Sequence, residues 1–143
     1  NGRIEIEKIQ VDKLFAQTDN GRIELRNIDA EQIHCQTDNG RILMEYVNGE
    51  IVGKTDNGKI SLLTTSLDRM IQFDTDNGSI LVETEHEPTN VSIHAKVDFG
   101  NIDVFGEKNS RTVFGSATNK VQLSSDNGKI TVTKKNFIMN GKY

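Results

Sequence analysis

Six aspartates stand at one place in a repeated tetrapeptide: Asp19, Asp38, Asp56, Asp76, Asp98 and Asp126. Carboxylates at strand spacing are the raw material of a calcium site, because hard cations take oxygen ligands. Four of them lie in Thr-Asp-Asn-Gly, at 18–21, 37–40, 55–58 and 75–78. A fifth copy is softened to Ser125-Asp126-Asn127-Gly128, and a sixth, Val97-Asp98-Phe99-Gly100, is degenerate. Calcium-binding solenoids use a Gly-Gly-x-Gly-x-Asp nonapeptide, which this chain lacks. The expected role is therefore local, each carboxylate accepting a backbone N–H of its own corner in an Asx-turn. Like charges one coil apart (~4.8 Å) cost roughly 0.9 kcal/mol per neighbour pair even in bulk water. A basic column one residue past the glycine, Arg3, Arg22, Arg41, Lys59 and Lys129, can offset that cost. No metal or other cofactor is expected.

The same basic column could instead do chemistry of its own. Arg3, Arg22, Arg41 and Lys59 would form a linear array of cations at strand spacing, suited to an anionic polymer such as a teichoic acid. The competing reading is a solvated face balanced by Glu5, Glu24, Glu45 and the aspartates. The asparagines Asn20, Asn39, Asn57, Asn77 and Asn127 predict a side-chain amide ladder between coils, a structural device. Phe99 interrupts that ladder beside a long insertion and is expected to pack under it, with Phe105 or Phe114.

Catalytic groupings are sparse. His34 and His94 each sit six residues before a corner glycine, which puts them three coils or ~14 Å apart, too far to share a metal. His86 falls in a loop. Cys35 lies in an inward apolar column with Ala16 and Phe73, so it reads as a buried, inert thiol. A glycan-cleaving β-helix enzyme would gather acids beside a long loop, and Asp103 and Glu107 are the nearest such pair. No Ser-His-Asp arrangement emerges, and the chain is not expected to be an enzyme.

These residues are positioned by a repeat. The corner glycines fall at 2, 21, 40, 58, 78, 100 and 128, so the steps are 19, 19, 18, 20, 22 and 28 residues. A period near 20 is the mark of a solenoid. Two residues past each glycine stand Ile4, Ile23, Ile42, Ile60, Ile80, Ile102 and Ile130. Seven before it stand Leu14, Ile33, Ile51, Ile71, Ile93 and Val121. Apolar residues alternate with period two on both sides of the corner, which predicts two short half-buried strands per coil. An Asn-Gly between alternating runs can also mean a hairpin. Hairpins, however, do not require the same Ile at one offset in every unit, whereas a parallel coil stacks like on like. The reading is an all-β fold, a single-stranded parallel β-solenoid of about 20 residues per coil. Right-handed coiling is expected because parallel crossovers take that hand.

The 143 residues make one domain, with net charge −4 and both signs interspersed, unlike a nucleic-acid binder. One cysteine permits no intrachain disulfide. No signal peptide or apolar run of membrane length is present. Glu107 to Asn119 reads as an extruded polar loop, and Glu85 to Asn90, around Pro88, as a smaller one. Residues 134–143 break the pattern and read as a cap or tail. The chain opens inside a motif, as a piece of a longer protein would.

Units such as Thr18 to Leu25 and Thr55 to Leu62, of the form Thr-Asp-Asn-Gly-basic-Ile-x-Leu, resemble the adhesin family defined by domain of unknown function 4097, which includes LiaG-like bacterial envelope proteins. The resemblance covers Asn1 to about Thr133. It implies a β-solenoid tethered to the cell envelope, with no established activity and no agreed functional residues. The expected function is a non-enzymatic structural or interaction module on the extracytoplasmic side, with a cytoplasmic location as the alternative. Its expected partner is a cell-wall polymer or an envelope protein. A scaffold of envelope-stress signalling that docks another protein through 107–119 is the second reading, and a glycan-active β-helix enzyme the third.

Overall fold

The computed structural model describes residues 2–64, 70–86, 89–106, 108, 111–116 and 118–134. The described residues form eight strands: β1 (Gly2–Asn39), β2 (Ile42–Asn57), β3 (Ile60–Thr64), β4 (Ile71–Asn77), β5 (Ile80–Thr84), β6 (Val91–Val104), β7 (Arg111–Phe114) and β8 (Asn119–Lys134). All pairings between them are parallel except β6 with β7. The chain is thus a solenoid-like stack, and the isoleucine column sits in register through it: Ile23 on Ile42, Ile42 on Ile60, Ile60 on Ile80, Ile80 on Ile130. All five are at most 1% exposed, so each coil buries its apolar pleat against the next.

The coils do not stack in sequence order. β4 and β5 pair with β8, and β6 lies on the far side of β8. The last coil of the sequence is therefore inserted between the two that precede it. Hydrogen bonding explains the order. In the interior, each Thr or Ser three residues before a corner glycine donates to the glycine carbonyl of the coil below: Thr37 to Gly21, Thr55 to Gly40, Thr75 to Gly58 and Ser125 to Gly78. Val97 has no hydroxyl to donate and Phe99 no amide. Placed after the Gly78 corner, they would break both ladders in mid-stack. Placed beyond β8, they occupy the end, where a ladder must stop.

The entry to β8 is clamped. Asn90 Nδ2 donates to Thr118 Oγ1 at 2.6 Å, the Thr118 N–H donates back to Asn90 Oδ1 at 2.9 Å, and Asn119 Nδ2 donates to the Asn90 carbonyl at 3.0 Å. The segment expected as an extruded loop, 107–119, is only partly one. It carries β7, which folds back antiparallel on Val91–His94 and covers part of the outer edge of β6. Residues 107, 109, 110 and 117 lie outside the described residues, as do Pro88 and the expected tail from 135 onward.

Phe99 does not pack under this segment. It is 75% exposed, and Phe105 and Phe114 meet without it, edge to face at 5.7 Å. Tyr46 donates to Glu85 at 2.7 Å and ties the start of the second irregular stretch to an earlier coil.

Each early coil has a third face that alternation around the glycine does not reveal. Lys8, Asn27 and Tyr46, each six residues past its glycine, adopt left-handed backbone with φ of 54–55°. This second corner turns Ile28 and Val47 inward, at 1% and 0% exposure, and they stack on each other. The coil that is one residue short absorbs its deletion at Gly49, where the register slips and where a Cβ would strike the Ala30 carbonyl oxygen.

Candidate functional site

At the Asp-Asn-Gly corner the asparagines form one unbroken ladder. Asn39 donates to Asn20 at 2.9 Å, Asn57 to Asn39 at 2.8 Å, Asn77 to Asn57 at 3.0 Å and Asn127 to Asn77 at 2.8 Å. The glycines are required on two counts: the corners approach closely, and φ is positive at 155–158° for Gly58, Gly78, Gly100 and Gly128, a conformation that L side chains rarely adopt. A Cβ at Gly40, Gly58, Gly78 or Gly128 would land on the carbonyl oxygen of the glycine one coil below, Gly21, Gly40, Gly58 or Gly78. The described hydrogen bonds of the corner run through Asn and Thr or Ser, not through Asp19, Asp38, Asp56, Asp76 or Asp126. These carboxylates point outward instead. Among the described residues, no three His, Cys, Asp or Glu side chains are grouped so as to hold a metal ion.

The basic column divides. Arg3 lies 3.9 Å from Glu5, and Arg22 donates to Glu24 at 3.0 Å. Arg41 and Lys59 have no ion pair among the described residues. With Arg22 and the corner glycines Gly21, Gly40 and Gly58, they line a shallow groove. Alignment on the glycines did not single out Arg26. It reaches Glu45 at 2.7 Å, Glu24 at 3.2 Å and Glu7 at 3.9 Å, bridging three coils. The hydrogen bond from Arg22, helped by Arg26, holds the Glu24 carboxyl below its ordinary range, and the bond to Glu45 pushes Arg26 up. A Glu-Arg-Glu succession one period apart was the available signal.

The other candidates separate. Cys35 is fully buried, and loss of hydration pushes its thiol to about 12, which leaves no thiolate for nucleophilic chemistry. Asp103 accepts from the Gly106 N–H at 2.9 Å and so is held in a turn, while Glu107 lies outside the described residues. His34 stacks on Phe15 with ring centres 4.9 Å apart. The carbonyl of His86 accepts from Thr84 at 2.9 Å. His34 and His94 are four ladder steps apart, through Val52, Gln72 and Gln122, because β8 intervenes. That is ~19 Å, not the ~14 Å of a sequential stack.

The outward face of the strand leading into the corner holds two perturbed groups. His94 Nε2 lies 2.9 Å from Ser92 Oγ, and burial, then Lys120 and Arg111, push the imidazole below its ordinary value. Burial raises the Asp74 carboxyl, with Lys54 opposing and Asp76, Asp126 and Asp56 adding to the rise. Both residues line one concavity of about 570 Å³. Sequence order gave no hint of it, since β4, β8 and β6 meet only in the rearranged stack.

The chain matches no curated protein and no solved structure. A family model does match, Toastrack, domain of unknown function 4097, over residues 1–133. With nearly its whole length inside that match, the chain belongs to the Toastrack DUF4097 family.

Proposed function

We propose that the chain is a non-enzymatic interaction module of a bacterial cell envelope, on its extracytoplasmic side. In this reading the fold is a single-stranded, right-handed β-solenoid that presents rigid, periodic faces to an extended partner. The observation that carries it is the corner groove: Arg41 and Lys59, one coil apart and in no ion pair among the described residues, beside glycines that leave the groove floor bare. Cations at strand spacing suit the repeating phosphates of a wall polymer. Arg3 and Arg22 contribute less to that face than their column suggests, because Glu5 and Glu24 compete for them. Co-sedimentation with purified sacculi tests the reading. Binding that needs teichoic acids, fades with salt and is lost in Arg41→Gln/Lys59→Gln is expected. No binding in any condition overturns it.

A second reading, a scaffold that docks another envelope protein, is supported by a different surface. Phe15 is 63% exposed and Met70 40% exposed, and with Val52 and His34 they line one groove. Capture of an envelope protein that is lost in Phe15→Ser, with the sacculus result negative, would favour it.

A further inference from the structure

We propose that the outward face of the end coil is an oxyanion site in which Arg111, Lys120, His94 and Lys96 take a phosphate group. The cluster exists only because of the strand order. Arg111, on β7, lies directly opposite His94 on β6. Lys120, on the other side, pairs with Ser92, and Gln122 pairs with His94. On β6 the alternation turns Val91, Ile93 and Ala95 into the core and Ser92, His94 and Lys96 to the opposite face. Arg111 and His94, directly opposed in the antiparallel β6–β7 pair, have Cβ atoms about 5 Å apart, and Lys120 stands diagonal to His94 across the parallel β6–β8 pair, so their side chains can converge on one oxyanion beside His94.

No ion pair among the described residues neutralises them, and the acid that shares their face on β6 is Asp98, two residues past Lys96. Arg3, Arg22 and Arg26 all have glutamate partners, whereas Arg111, Lys120 and Lys96 are in no ion pair among the described residues. Gln72, Gln122 and Ser124 supply uncharged polar groups in the adjoining concavity. The one acid there, Asp74, is separated from Lys96 by Ser124. From β7 the groups facing this patch are Arg111 and Val113, from β8 Lys120, Gln122 and Ser124, and from β4 Gln72 and Asp74. Of these groups only Arg111 and His94 stand directly opposed, and they repel when His94 is protonated. A bound oxyanion removes that repulsion, takes a bidentate fork from Arg111 and accepts from Lys120 and a protonated His94. Burial, then Lys120 and Arg111, push His94 down, which places both cations within electrostatic reach of the imidazole.

The phosphate could be a free anion or part of a phosphodiester polymer. The inference does not rest on the envelope reading, and it uses a different face from the corner groove.

Side-chain NMR of the three histidines tests it, because His34 and His86 serve as internal references. On adding inorganic phosphate, the His94 titration midpoint should rise while those of His34 and His86 stay put. Chloride at matched ionic strength should not reproduce the rise. Arg111→Gln and Lys120→Gln should each weaken the effect at least tenfold with an unchanged circular dichroism spectrum, and Arg41→Gln should leave it intact. A chloride effect of equal size, equal shifts at all three histidines, or an unchanged response in both variants overturns the proposal. In a parallel titration, tighter binding of poly(glycerol phosphate) than of inorganic phosphate assigns the site to a polymer, and equal binding per phosphate assigns it to the free anion. Loss of sacculus binding in Arg41→Gln/Lys59→Gln with this site intact keeps the two readings separate.

Discussion

The side-chain amide of Asn127 donates to Asn77 at 2.8 Å across 50 residues of sequence, and Phe99 lies on the other side of Asn127. This contact is the local signature of the rearranged stack. The coil that follows Asn77 in the chain cannot continue the ladder, since it carries Phe99 in the asparagine position. The next coil can, and it takes the place.

Ladder chemistry should therefore be asymmetric along the stack. Asn57→Ala removes an amide that both donates and accepts, and should cost about 1–2 kcal/mol in urea denaturation. Ser125→Val with Asn127→Phe puts the end-coil residues in the interior and should cost about 2–3 kcal/mol. Val97→Thr with Phe99→Asn at the end should be close to neutral. Equal losses at the two places would contradict the account of strand order.

The glycine column makes a steric prediction. Gly58→Ala drives a Cβ into the backbone carbonyl of Gly40, where no flexible side chain can yield, and should cost more than about 3 kcal/mol or prevent folding. Gly106→Ala meets open space and suffers only its φ of +85°, so its cost should stay near 1 kcal/mol. Thermal melts of the two variants check the contrast.

His94 sets a pH dependence. Its folded-state value is depressed, so the unfolded chain binds the extra proton more readily. The stability associated with neutral His94 is present above the ordinary histidine value of about 6.5 and is lost as pH falls through the folded value. Stability should thus rise with pH across that window, and His94→Gln should flatten the slope. Asp74 is raised, so its contribution has the opposite sign: it is present below the ordinary aspartate value and is lost as pH rises through the folded value. Phosphate should reduce the His94 slope if the oxyanion site forms.

Cys35 should not react with a thiol reagent at pH 8 until the protein is unfolded. A reaction rate in native buffer equal to that in denaturant would show that its coil opens readily.

Removing divalent cations should leave the melting temperature unchanged. The described corner hydrogen bonds come from Asn amides and Thr or Ser hydroxyls, not from the aspartates. A drop in melting temperature with EDTA, restored by calcium, would give the Asp column a ligand role.

The sequence by itself determined the coil. One Ile, one hydroxyl residue and one Asn-Gly at fixed offsets can all be satisfied only by stacking like on like, and the structure keeps those columns in register from Ile23 to Ile130. The inert burial of Cys35 was legible for the same reason, since period-two alternation decides which side chains face inward. The order of the coils was not legible. Every coil presents nearly the same columns, so periodicity is blind to which coil lies on which. Only the tertiary structure decided that, by placing Val97 and Phe99 at the end, where their missing hydrogen bonds interrupt nothing. The third face also stayed hidden, because its corners at Lys8, Asn27 and Tyr46 share a backbone conformation and not a residue type. The cluster around His94 follows from both effects. Arg111 and Lys120 reach it through an antiparallel return and an inserted strand, contacts that a pattern repeating every 20 or so residues does not encode.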